Sequence, residues 1–151
     1  NIYDFGTENV TIEMFVNFST LSGVRPLISV RTGGSGGWGL YWNSNEIYWV
    51  GGASINTSSS GISSTGVWHH IVFVREGSTI SLYIDGTKNG TNTSMTAAID
   101  NPGNESPSLG QGWPSGMTDF HGYIDECRIT KGVARYTGSS LTVPTRAFKN
   151  R

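Results

Sequence analysis

From Trp68 to Arg75 the apolar positions form two interleaved sets of period two. Trp68, His70, Val72 and Val74 share one face of an extended chain, and Ile71 and Phe73 make the other face apolar as well, which predicts a central strand covered on both sides. Glu76-Gly77-Ser78 is short and polar and contains the glycine that a tight reversal needs. The chain is therefore predicted to return antiparallel through Ile80-Ser81-Leu82-Tyr83-Ile84, with Ile80, Leu82 and Ile84 facing in, Ser81 and Tyr83 facing out, and Asp85-Gly86 making the next turn.

The same alternation marks further elements. Residues 10–19 place Val10, Ile12, Met14, Val16 and Phe18 against Thr11, Glu13, Phe15 and Asn17, the pattern of a long strand. Residues 27–30 read as a short strand opened by Pro26, residues 33–37 as a glycine loop, and residues 39–42 and 47–50 as a hairpin across Asn43-Ser44-Asn45-Glu46. Residues 53–66 are polar and Ser-rich and fit either an edge strand or a loop; residues 87–91 read as a second small reversal. After an excursion over 101–107 and a short strand at 108–110 comes the last strong strand, 120–129. Tyr123, Cys127 and Ile129 share a parity that Ile124 breaks, so either both faces are covered or a bulge lies near Asp125-Glu126. Residues 132–136 are predicted to make one helical turn, followed by an extended tail over 141–148.

Composition supports this picture. A chain of 151 residues with 21 glycines, much Ser, Thr and Asn and few strong helix formers is expected to be a single all-β domain spanning 1–151. The net charge is −1, and with the ten Lys and Arg read as scattered there is no general attraction for polyanions, so nucleic acid is not an expected partner. No run is long enough for a spanning helix, and membrane insertion is not expected. Cys127 is the only cysteine and can form no internal disulfide; in an apolar-rich strand it is expected to be a buried structural thiol. The absence of an initiator Met suggests a processed product or a piece of a longer chain.

Three stretches carry a family resemblance: Asp4-Phe5-Gly6-Thr7 leading into residues 11–16; Trp68-His69-His70-Ile71-Val72 with Leu82-Tyr83-Ile84-Asp85-Gly86; and Gly122-Tyr123-Ile124-Asp125-Glu126-Cys127-Arg128-Ile129 with Ala134-Arg135-Tyr136. In this order they resemble the laminin-G-like, concanavalin A-like jelly rolls. The resemblance implies a jelly-roll β-sandwich of two antiparallel sheets. The ending Thr130-Lys131-Gly132-Val133-Ala134-Arg135-Tyr136 is similar to a sub-type associated with bacteriophage structural proteins and bacterial surface proteins. Members usually begin with an earlier strand, which implies that an upstream segment has been removed or lies elsewhere in the assembly. They also usually carry a larger apolar residue in place of Cys127.

Catalysis is not expected. Glycosidases of this architecture resemble one another in a Glu-x-Asp-x-Glu strand that aims its carboxylates into one cleft, and this chain has no such triplet. Asp125 and Glu126 are adjacent, so regular alternation sends them to opposite faces, where they are expected to accept turn amides and to pair with a base such as Arg128. His69 and His70 are likewise neighbours on a strand and cannot both chelate one ion from one face.

Two places carry candidate binding chemistry, weighed against packing of the rings and the ordinary polarity of loops. Trp38, Tyr41, Trp42, Tyr48 and Trp49 put five aromatics into twelve residues beside the glycine loop, with Asn43 and Asn45 at the tip. Sugar C–H faces stack on such rings while their hydroxyls seek amides, although alternation sends about half of these rings to the core. Trp38, Trp42, Asn43, Asn45 and Trp49 are accordingly the expected ligand contacts. Laminin-G-like modules often hold Ca2+ at a rim, and Asp100, Asn101, Asn104 and Glu105 offer oxygens on one loop. The whole implies a non-catalytic binding or decoration module at a virion or extracellular surface. Its expected partner is a cell-surface glycan, a neighbouring virion protein or a second copy of itself. The alternatives are a secreted carbohydrate-binding domain, a degenerate glycan hydrolase and a purely structural interlocking domain.

Overall fold

The computed structural model describes residues 1–30, 36–56, 60–111 and 118–149. Its strands are β1 (Val10–Phe18), β2 (Val24–Val30), β3 (Trp38–Asn43), β4 (Glu46–Gly51), β5 (Ala53–Asn56), β6 (Trp68–Glu76), β7 (Thr79–Ile84), β8 (Thr87–Asn92), β9 (Ser108–Leu109) and β10 (Gly122–Lys131). They form two antiparallel sheets of five strands, in the orders β10-β1-β6-β7-β8 and β5-β4-β3-β2-β9. This is the predicted two-sheet sandwich.

The main core lies between the sheets. Ile12, Met14, Val16 and Phe18 of β1, Ile71 and Phe73 of β6 and Leu82 of β7 meet Trp38, Leu40, Trp42 and Trp49 of the other sheet. The period-two pattern is what places these side chains on one face of each strand. Trp49 stacks on Phe73 across the sandwich with ring centroids 3.7 Å apart, and Phe18 lies 4.8 Å from Trp42.

The outer face of the first sheet is covered as well, by the polypeptide that follows β10. Val72, Val74 and Tyr83 are buried there against Ala134, Tyr136 and Leu141, which contributes about 2 kcal/mol for each large apolar side chain removed from water. Main-chain bonds fix the segment: Arg135 N–H donates to Thr11 Oγ1 (3.0 Å), Leu141 N–H to Gly86 O (2.8 Å), and the Tyr83 hydroxyl to Gly138 O (2.8 Å). Tyr83 thus faces outward as expected but is buried, because the tail crosses it.

Several local expectations are corrected. Residues 87–91 are not a reversal: Asp85-Gly86 already turns the chain, Asp85 at φ 48° and Gly86 at φ 87°, and Thr87–Asn92 is a full strand on β7. Residues 132–136 make no helical turn, because Thr11 and β1 engage them as extended chain after a turn at Gly132. The strand expected over 27–30 begins three residues earlier, at Val24, and its pairing with β3 shifts between Pro26 and Ile28, beside the residue that lacks an N–H donor. Of the two alternatives for this strand, the bulge near Asp125-Glu126 is present, with Glu126 at φ 50° and a register shift opposite Glu13 and Phe15. Cys127 is exposed rather than buried: β10 is an edge strand, and beyond the bulge Cys127 borders an open apolar groove with Ile2, Leu109 and Ile129. Of the predicted glycine loop, residues 33–35 lie outside the described residues.

Candidate functional site

The three tryptophans expected to contact ligand are in the core. Trp38, Trp42 and Trp49 are essentially inaccessible to solvent, and each indole N–H is satisfied by a backbone carbonyl, those of Tyr3, Leu21 and Gly51 respectively. They share the parity that faces the opposing sheet, so these three tryptophans build the sandwich and offer no sugar-stacking surface. Tyr41 and Tyr48 take the other parity and stack on each other at 5.1 Å; the Tyr41 ring lies where a side chain at position 39 would be, so Gly39 is required. Asn43 and Asn45 stay exposed at the tip, with Asn45 bracing the loop at Ser60 through its carbonyl and side chain. Gly36 and Gly37 border a cleft of about 300 Å3 shared with Tyr41 and Val50.

The oxygen-rich loop is braced by its own asparagine. Asn101 is buried, donating its amide to Glu105 O and accepting from Glu105 N–H, at 2.7 and 3.0 Å. Both ends of its side chain are thus engaged, so the set of Asp100, Asn101, Asn104 and Glu105 loses Asn101 as a ligand. Among the described residues no group of three His, Cys, Asp or Glu side chains gathers around a point.

Asp125 and Glu126 are both tied into structure. Asp125 Oδ1 accepts the Glu126 N–H, and Glu126 Oε2 accepts the Phe148 N–H of the tail. The bulge breaks the alternation that would have sent them to opposite faces, since Glu126 reaches the same tail that covers Phe15, the register partner of Asp125. Their expected base, Arg128, pairs instead with Glu13.

Exposed aromatic surface lies elsewhere. Asn17 of β1 is the register partner of Trp68 on β6 and of Tyr123 on β10, so the three side chains form one row across adjacent strands. Val16 and Phe18 point into the core, which puts the row on the outer face. Trp68 is 46% and Tyr123 67% exposed, and among the described residues they are the only aromatics in the set of large exposed apolar side chains. Two strand spacings separate their backbones, roughly 10 Å, and the Asn17 amide lies between them. No local sequence signal announces this row, because it depends on pairing among residues 17, 68 and 123.

Next along the same face is a buried polar cluster that anchors the tail. Glu13 is fully buried; its Oε1 accepts from Arg128 Nε and Nη2 at 2.9 and 2.6 Å, and its Oε2 accepts from the Tyr136 hydroxyl at 3.0 Å. His70 Nε2 approaches Oε2 at 3.3 Å without hydrogen-bond alignment. Burial alone would raise the Glu13 pKa, but His70, Arg128 and Tyr136 together outweigh it and hold the carboxyl below its ordinary value. The Tyr136 hydroxyl is raised in turn, by burial first and then by the Glu13 charge. Phe148 completes the cover, its ring 3.9 Å from the Arg128 guanidinium and 6.5 Å from Phe15. His69, on the opposite parity, bonds Asp85 through Nδ1 at 2.7 Å. Although Cys127 as a residue is exposed, partial desolvation of its sulfur on the strand, and then the Glu13 charge, push its thiol up to about 11.

A family model described as the concanavalin A-like lectin/glucanases superfamily, of laminin G type, matches residues 2–135. The chain belongs to that superfamily. Solved structures share the laminin G-like fold at low identity. Domains LG4-5 of the mouse laminin α1 chain give a TM-score of 0.67 at 16% identity, over 100% of this chain and 43% of that one. Domain 4 of AbnA, an extracellular arabinanase of Geobacillus stearothermophilus solved with arabinotriose, gives 0.67 at 20% identity, over 85% and 63%. The carbohydrate-binding module CBM40 of Ruminococcus gnavus IT-sialidase gives 0.64 at 14% identity, over 87% and 79%, and has also been solved with α2,3- and α2,6-sialyllactose. The chain therefore spans less than two thirds of the first two of these. The comparison with curated proteins finds no match.

Proposed function

We propose that this laminin G-like domain is a non-catalytic glycan-binding module whose contact surface is the row Trp68, Asn17 and Tyr123. The observation that carries the reading is the exposure of two aromatic rings, in register across three strands, beside a part of the same face that the tail covers. Such rings accept the C–H faces of a sugar, while Asn17 between them, 8% exposed, forms the floor of the row. The carbohydrate-bound neighbours support the class of ligand, and the absence of a Glu-x-Asp-x-Glu strand supports binding without turnover. We place the module on the exterior of a larger assembly, a bacterial surface or a virion, which the resemblance of the 130–136 ending supports. A glycan array probed with the wild-type domain and with Tyr123→Ala tests the reading. Binding to a defined set of glycans that is lost in the variant is the expected result. No binding to any glycan, or binding unchanged in a folded Tyr123→Ala, would overturn it.

A further inference from the structure

The net charge of −1 conceals an asymmetry, and the cations are not scattered: six of the ten Lys and Arg and none of the eleven Asp and Glu lie after Glu126. The fold gathers four of these cations around one groove. Between the edge of β10 and the returning tail is a cleft of about 730 Å3, bordered by Arg128, Arg135, Arg146 and Lys149 with Thr130 and Pro144. This is the size of a cleft that takes a small-molecule ligand or a few sugar units.

The cations differ in how far they are neutralised. Arg128 is balanced by Glu13, and Arg135 uses Nε on the Thr130 hydroxyl, a neutral partner. Arg146 and Lys149 are exposed, and among the described residues neither meets a carboxylate. We infer that this groove is a binding site for an anionic saccharide, carboxylated or sulfated, separate from the aromatic row and independent of it. Arg146 and Lys149 supply the charge, while the remaining guanidinium donors of Arg135 supply directed hydrogen bonds to planar or tetrahedral anions.

The surroundings favour a saccharide over other polyanions. Among the described residues Phe148 is the only aromatic bordering the groove, and it lies against Arg128 and Phe15, so none of them offers a free ring there to stack a nucleobase or to insert into a lipid surface. The rest of the chain is acidic, with four Lys and Arg against eleven Asp and Glu up to Glu126. A long polyanion lying across the body would be repelled, whereas a short one within the groove would not.

Binding of a heparin-derived oligosaccharide, of an oligogalacturonate, of a single-stranded oligonucleotide and of phosphatidylserine vesicles to the whole domain tests this. Wild type is expected to bind at least one of the two acidic saccharides, more weakly as salt is raised, and to lose about tenfold in affinity in Arg146→Gln/Lys149→Gln. The charge-preserving Arg146→Lys/Lys149→Arg is expected to retain binding, as is Trp68→Ala, which separates this site from the aromatic row. Unchanged affinity in the neutralised variant, or no binding of either saccharide by wild type, would overturn the site. Equal or tighter binding of the oligonucleotide or the vesicles would overturn the assignment of ligand class.

Discussion

The two aromatic regions of this domain are inverted with respect to each other. The β3–β4 hairpin holds five aromatics within twelve residues and buries all three of its tryptophans, whereas Trp68 and Tyr123, from strands 55 positions apart in sequence, stand exposed in one row. Both regions obey the same period-two rule. What differs is the partner face: the inward parity of the hairpin meets a second sheet, and the outward row lies beyond the reach of the tail. Local density of rings therefore reports packing, and only cross-strand register reports a platform.

The largest effect that can test this inversion is on stability. Trp49→Ala removes a ring stacked at 3.7 Å on Phe73 and leaves Gly51 O without its indole donor, so denaturant unfolding should show a loss of about 3–5 kcal/mol. Trp68→Ala should stay within about 0.5 kcal/mol of wild type; comparable losses in the two variants would break the comparison. Of intermediate size is Glu13→Gln, which takes the charge from a buried carboxylate facing a partly exposed Arg128. Discounted for that exposure, it should cost about 2 kcal/mol and make the tail after Lys131 more susceptible to limited proteolysis.

The same cluster predicts a smaller, pH-dependent effect with two edges. Glu13 has a folded pKa below its ordinary 4.5, so its contribution is fully present above that value and is lost as pH falls through the lowered one. Tyr136 has a folded pKa above its ordinary 10.0, so its contribution is present below 10.0 and is lost as pH rises through the raised one. Thermal melting across pH should therefore show both edges in wild type. In Glu13→Gln the acid edge should weaken and the alkaline edge should move toward the ordinary tyrosine value. A profile identical in the two proteins would mean that the cluster does not anchor the tail.

Much of the sandwich was legible in the alternation itself. The β6–β7 pair, the face assignments of β1 and the β3–β4 turn follow from side-chain period and turn residues, which are local properties. The cover on the outer face was not, because the segment after Lys131 is extended and irregular and carries no periodic signal. For that reason nothing in the sequence marks Glu13, on the second face of β1, as the centre of a buried ionic cluster. The bulge at Glu126 was legible only as an alternative, and its consequence for Cys127 and for the facing of Asp125 and Glu126 required the pairing register. Trp68 was read as part of a strand covered on both sides; its exposure follows from the course of the segment after Lys131, which covers Val72 and Val74 of the same face.

The most direct test of the central claim is a titration of the isotopically labelled domain with a glycan taken from the array, following the indole N–H resonances. The account predicts that the Trp68 resonance shifts progressively to saturation while those of Trp38, Trp42 and Trp49, each bonded to a core carbonyl, stay in place. Shifts concentrated in Trp38, Trp42 or Trp49 with Trp68 unmoved would contradict it.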